Sequence, residues 1–198
     1  MTATRRLGAA DSETRAALLD VTAAIMIEEG YAAATSRRVA ARAGVKPALV
    51  HYYFHTMDDL FLALFRKGAE ANLSRYEQAL ATHQPLRVLW GLAREPGGAL
   101  LLAEFQALAN HRKTIRAEIA EYAERFRALE IKAVAARFAS HGYEAVPAGA
   151  VTVMMSAVAR ILVMEDVMGI TTGHQEVLDL VERYLDQLEP SAAESGPA

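Results

Sequence analysis

The chain has 198 residues, 53% of them hydrophobic, and a formal net charge of -3. That length allows one or two domains with a sizeable core, and the mild acidity means that any anion-binding role must come from local charge, not from the average. The absence of cysteine excludes disulfides, thiolate metal sites and thiol nucleophiles, and suits a reducing interior.

The opening "MTATRRLGAA" holds no apolar core of signal-peptide length. Residues 1–10 are expected to be disordered. A first helix is expected from Asp11 or Ser12 to Glu29, with Gly30 stopping it at a C′ position. Thr35 or Ser36 caps a short second helix ending near Ala43. Gly44 breaks it, and Pro47 suits the first turn of a third. A fourth starts at Thr56, where Thr56-Met57-Asp58-Asp59 reads as a capping box with Asp in place of Glu, and runs to about Ala81. Breaks at "HQP", residues 83–85, and "EPGG", residues 95–98, precede helices over about 98–112 and 114–140.

Pro147 starts an apolar helix to Met168, and "GITTG" leads to a last helix, "HQEVLDLVERYLDQL", with Val177, Val181, Tyr184 and Leu188 on one stripe. Arg160, Glu165 and Asp166 interrupt residues 148–170, the most apolar stretch. Charges inside lipid are expensive, so a cytoplasmic protein with no membrane partner is expected. Residues 189–198 lack apolar periodicity and read as disordered. No strand-type alternation of useful length appears. The expected fold is all-α, with about nine helices.

The run "TSRRVAARAGVKPALVHYYFHTMDDL", residues 35–60, carries most of the chemistry. Two short helices meet at a tight corner, where Ala40 permits close approach and Gly44 can take a positive φ. Val39, Val45 and Val50 are placed to be buried. This is the pattern of a helix-turn-helix, whose second helix enters the major groove of DNA. Arg37, Arg38, Lys46, Ala48, His51, Tyr52 and His55 are left outside. They are donors, aromatics and one small residue, suited to phosphates and base edges, and no carboxylate lies between Tyr31 and Met57.

With "EEGYAAAT" before it, this run resembles the DNA-binding domain of the TetR family of bacterial transcriptional regulators. The resemblance rests on Gly30-Tyr31, Thr35-Ser36, Val39-Ala40, Ala43-Gly44-Val45, the cluster His51-Tyr52-Tyr53-Phe54, and Asp58-Asp59-Leu60. It covers about residues 11–64, with the helix-turn-helix at about 35–54. Residues 65–188 agree only in being helical, as that family's divergent effector-binding and dimerisation domain would. The resemblance implies phosphate contacts at Ser36, Tyr52 and Tyr53, and base-edge approach by Arg37, Pro47, Ala48 and His51. Three positions depart from the family pattern. Leu49 replaces a common Thr, Lys46 a frequent Ser, and Met57 a frequent Lys, leaving the helix N-terminus to offer a backbone amide there.

Other readings weigh less. His51 and His55 stand i,i+4, but no further His lies close, so no metal is expected. No cofactor motif is present: the sequence lacks GxGxxG, a P-loop, HExxH and a nucleophile elbow, and an enzyme is not expected. Residues 147–168 are apolar nearly all round and need cover on both sides, which a homodimer formed with His174–Leu188 would supply. Trp90, Glu104, Phe105, Tyr122, Phe126, Met154, Met155 and Arg160 could line a pocket for a small, largely apolar effector, although any helical core holds such residues. The expected function is a ligand-responsive repressor that binds a palindromic operator in double-stranded DNA as a homodimer and is released by the effector, with an activator as one alternative. A regulator without a small-molecule effector is the other reading.

Overall fold

The computed structural model describes residues 3–190, with side chains from Glu13 onward. The expectations for residues 1–2 and 191–198 lie outside the described residues. Among the described residues there are nine α-helices and no strand. In chain order they are α1 (Ala3–Glu29), α2 (Ser36–Arg42), α3 (Pro47–Tyr53), α4 (Met57–Leu80), α5 (Pro85–Ala93), α6 (Pro96–Ala109), α7 (Lys113–Ser140), α8 (Ala148–Val167) and α9 (His174–Leu188). A single 3-10 turn, Tyr31–Ala33, joins α1 to α2. The all-α expectation agrees with this. The start of α1 does not: the helix already runs at Ala3, so Asp11 and Ser12 lie inside it.

The chain forms two compact units. The first holds the described part of Met1–Glu70 together with Leu100–Ala120, and the second holds Ala71–Ala99 with the described part of Glu121–Ala198. Packing thus joins Leu100–Ala120 to the N-terminal helices. The cause is apolar. Phe105, Leu108, Ala109 and Ile115 share one buried cluster with Leu18, Leu19, Ile25 and Met26 of α1, Val39 and Ala40 of α2, Val50 of α3, and Leu60 and Leu64 of α4. Helices α4, α6 and α7 each contribute residues to both units.

In the second unit, Trp90, Ala159, Leu162, Val181 and Leu185 form one buried cluster. Helix α8 has two apolar faces. Thr152, Ala159, Leu162 and Val163 point into this unit, and Thr152 satisfies its hydroxyl on the Ala148 carbonyl at 2.8 Å. The opposite face exposes Val153, Met154, Ile161, Val167 and Met168. The stripe expected on α9 is divided: Val181 and Leu188 face inward, while Tyr184 is 60% exposed beside Leu180. Val181 thus belongs to the core, because it meets Trp90 and Leu162 there. By length and composition Ala148–Val167 could also cross a membrane. Arg160 on the exposed face opposes that use.

Two polar contacts fix chain ends that the sequence leaves loose. The Glu189 carboxylate, 0% exposed, accepts from the backbone amides of Leu86 and Arg87 at 2.9 and 3.0 Å and from Arg137 Nε at 3.1 Å. It caps α5, whose first-turn amides otherwise lack acceptors. Glu189 is therefore held in place, and the irregular tail does not begin there.

At the start of α9, His174 donates from both ring nitrogens, Nε2 to Glu165 at 2.8 Å and Nδ1 to Asp166 at 2.9 Å. Both nitrogens can donate only in the imidazolium. The hydrogen bond to Glu165, aided by Asp166, raises the His174 pKa above its usual 6.5. The raised folded-state pKa sets the sign: this clamp contributes fully below about pH 6.5 and is lost as pH rises through the folded-state value. The melting-temperature advantage of the wild type over His174→Gln is expected to be largest in mildly acidic buffer and to shrink towards alkaline pH. A difference that is constant across pH would refute the clamp.

Candidate DNA-binding interface

Helix α2 starts where Thr35 accepts the Arg38 amide on its hydroxyl at 3.3 Å. Val39 and Ala40, both 0% exposed, turn inward. The helix ends at Ala43, and Gly44 takes φ 69, a left-handed value that costs other residues energy. The Val45 amide then returns to the Ala40 carbonyl at 2.9 Å, which closes the corner. Lys46 is extended and Pro47 opens α3, where its missing N–H is no loss. Val50 and Phe54 lock α3 down at 1% and 3% exposure. Beyond α3, Thr56 and Asp59 cap α4 reciprocally: the Thr56 amide donates to Asp59 at 2.9 Å, and the Asp59 amide to the Thr56 hydroxyl at 3.1 Å.

What remains outward is Arg37, Lys46, Pro47, Ala48, His51 and Tyr52, all exposed. Tyr52 stands edge-on against Tyr53 with ring centroids 5.1 Å apart, so its ring is held while its hydroxyl end stays in solvent. Ser36 and Tyr53 are half-buried. Met57 is half-buried against the core, which leaves its backbone as the group nearest to solvent chemistry.

The cations divide into two sets. Arg38 pairs with Glu29, and Arg42 pairs with Glu28 at 2.7 Å. The hydrogen bond from Arg42 holds the Glu28 carboxyl below its usual range. No carboxylate among the described residues engages Arg37 or Lys46. The acid-free stretch in sequence is thus partly served by acids from the end of α1, and the uncommitted charge lies at Arg37 and Lys46. Reading the stretch alone could not find Glu28 and Glu29, since they precede it. Nor could it find Arg15, whose guanidinium lies 5.0 Å from the Phe54 ring centre. Among the described residues no group of three or more metal-type ligands gathers, at His51 and His55 or elsewhere.

The eight residues considered for an effector do not form one group. Glu104 and Phe105 belong to the first unit. There Glu104 accepts the Tyr31 amide at 2.7 Å and lies against Gly30, while Phe105 stacks edge-on with Phe65 at 5.3 Å. The other six belong to the second unit. Trp90 is in the core, Tyr122 is buried under Arg125, and Phe126 meets Tyr76 edge-on at 5.0 Å. Met155 packs on the Trp90 cluster, whereas Met154 and Arg160 are exposed. Close to Phe126, the half-buried Glu130 accepts from Ser156 at 3.3 Å with Arg127 at 3.9 Å, and burial raises its pKa.

Comparison with known proteins agrees with this geometry. Residues 18–64 match the family described as bacterial regulatory proteins, tetR family. The chain is 30% identical over 119 residues to the HTH-type transcriptional regulator BetI of Rhizobium meliloti (strain 1021), a match covering 60% of this chain and 55% of that protein. It thus spans about half the length of that curated relative. A TetR transcription regulator from Haloarcula marismortui has the same fold, with a TM-score of 0.66, 22% identity, and coverage of 89% of this chain and 98% of that one. FadR of Bacillus subtilis, solved in complex with stearoyl-CoA, superposes with a TM-score of 0.67 at 18% identity, covering 87% of this chain and 96% of that one.

If Tyr52 donates its hydroxyl to a phosphate, Tyr52→Phe should weaken binding to all duplexes alike, by about 2–10-fold, the worth of one hydrogen bond. His51→Ala should instead alter the preferred bases. Fluorescence anisotropy on matched and scrambled duplexes separates the two, and a sequence-selective loss in Tyr52→Phe would refute the assignment.

Proposed function

We propose that this chain, a member of the tetR family of bacterial regulatory proteins, is a repressor that binds a palindromic operator as a homodimer and leaves it when a small, largely apolar effector binds. The observation that carries the reading is the outward face of α2 and α3. Arg37, Lys46, Ala48, His51 and Tyr52 are exposed there, no carboxylate faces the uncommitted cations, and a buried corner fixes both helices. Phosphates take the cations and hydroxyls, and base edges take His51 and Ala48.

A second copy is the cover that best suits the exposed face of α8. Val153, Met154, Ile161 and Val167 recur at helical spacing, and Leu180 and Tyr184 add an apolar patch on α9. Self-pairing about a two-fold axis buries such a face on both copies at once and matches the symmetry of a palindrome. A neighbour of the same fold that binds stearoyl-CoA supports an apolar effector. In this chain the second unit offers Tyr76, Phe126 and Met155 as walls and Glu130, Arg127 and Ser156 as orienting groups. Helix α4 is unbroken from Met57 to Leu80 and, like α6 and α7, contributes to both units, so it is one element through which binding in one would reach the other. A coupling of about 1–3 kcal/mol would change operator affinity about 5–150-fold, and operator DNA would weaken effector binding equally.

Footprinting on DNA adjoining the gene tests the reading. Salt-sensitive protection of a two-fold site is expected, with half-site centres roughly 34 Å apart or somewhat more. Equal affinity for that site and scrambled DNA at every salt concentration would overturn it. Transcription that rises with the bound protein would make it an activator.

Dimerisation has its own test. Tyr184→Glu places a charge on the exposed α9 face and should yield monomer with a near-normal melting curve. Val181→Glu strikes the core instead and should destabilise the fold. Light scattering that shows a fully dimeric Tyr184→Glu protein would exclude this face.

A further inference from the structure

Four arginines of the second unit meet carboxylates. Arg75 has Glu95, Arg87 has Glu182 and Asp186, Arg127 has Glu130, and Arg137 has Glu189. Arg94, the residue that ends α5, meets none among the described residues. Its Nε is nevertheless buried without a hydrogen-bond acceptor, and so is the indole N–H of Trp90 one turn earlier. The Arg94 guanidinium lies over the Trp90 ring, 5.3 Å from its centre, in a cation–π contact. A buried donor with no acceptor is costly, by about 1–3 kcal/mol, and more when it is charged. A native structure that keeps one commonly keeps it for a partner that arrives.

Arg94 borders a cavity of ≈ 390 Å³. That volume falls within the range of small-molecule sites, near its lower end. Thr171 and Gln175 line it with further donors, His174 borders it with both ring nitrogens already committed, and Leu162 and Leu178 give it apolar walls. Asp166 also lines it, but its carboxylate accepts from His174 at 2.9 Å. The acid at this cavity is thus already paired, and the cation that is not paired is Arg94.

We propose that this cavity, framed by α5, α8 and the start of α9, binds a small monocarboxylate with an apolar body. The guanidinium takes the carboxylate, and Leu162 and Leu178 take the chain. Three features select this class. A guanidinium offers parallel N–H donors that fit a planar carboxylate. The contact with Trp90 restrains the guanidinium before the ligand arrives, so less freedom is lost on binding. The leucine walls favour an amphiphile over a fully hydrated anion. The site is separate from the Phe126 region considered for the effector, and it can be tested without DNA, so its failure would leave the regulator reading intact.

Trp90 is the single tryptophan of the chain, and it lies beneath Arg94. Its emission is therefore a built-in reporter. Octanoate titrated into the full-length protein should shift that emission saturably, whereas octanol, octylamine and inorganic phosphate should not. Arg94→Gln should weaken octanoate binding by about tenfold or more, the worth of a charge-assisted hydrogen bond. Arg94→Lys keeps the charge and loses the fork, and should fall between the two. Thermal melts establish that each variant is folded. Should Arg94→Gln fail to fold, Arg94→Lys decides by the same criterion: weaker binding than wild type supports the site, and unchanged binding refutes it. No saturable shift with octanoate, an equal response to octanol, or equal affinity in folded Arg94→Gln overturns the proposal. A response to phosphate matching that to octanoate overturns the carboxylate class.

Discussion

Two helices of seven residues each, α2 and α3, carry the proposed recognition surface. Helices this short are not stable alone in water, because nucleation costs more than one or two turns return. Their existence depends on burying Val39, Ala40, Val50 and Phe54 against α1, α4 and, from far along the chain, Phe105, Leu108 and Ile115. The outward residues are fixed only as well as the inward ones are packed. A cavity-forming change at buried Ile25 or Ile115 would therefore loosen the outward face of α2 and α3.

Charge is distributed with the same economy. Where arginines serve the fold, a carboxylate from another element meets them, as Glu28 and Glu29 meet Arg42 and Arg38, and Glu118 meets Arg66. Pairs this exposed contribute little to stability. Their effect is to remove charge from circulation. Arg37, Lys46 and Arg94 stand outside that pattern, and each borders a face or a cavity that an anion could reach. An unpaired cation beside a defined surface is more informative than net charge, which here is close to neutral for the size of the chain.

The helices were legible because their punctuation is strong. Gly30, Gly44 and Gly173 take positive φ, as glycine at a corner allows, and Pro47 opens a helix as expected; Pro85 and Pro96, read as breaks, open helices as well. The Thr56–Asp59 cap also forms as its spacing implies. Long-range choices were not legible. Nothing near Glu189 indicates that its carboxylate would cap a helix about a hundred residues earlier. On α9 the pattern places Val181 and Tyr184 three apart on one broad stripe, but an amphipathic helix has two edges to its apolar arc. The core took Val181 and left Tyr184 outside. Glu104 could be recognised as a polar residue in an apolar helix. That it accepts the amide of Tyr31 depends on the packing of α6, which local sequence does not encode. The arginine pairing has the same character, since only the folded chain shows that Arg94 is left without an acid.

The interleaving of the two units bears on how the chain acquires its shape during synthesis. Every residue of the first unit has left the ribosome once Ala120 has emerged, whereas the second cannot complete its packing until Glu189 reaches the start of α5. At bacterial elongation rates of about 5–20 residues per second, that interval lasts several seconds. Throughout it α5 lacks its acceptor, and the apolar residues of the second unit wait for a partner helix not yet made. The nascent chain would thus hold packed α2 and α3 while the second unit is still incomplete, and the stretch from α9 to Glu189 is what completes it.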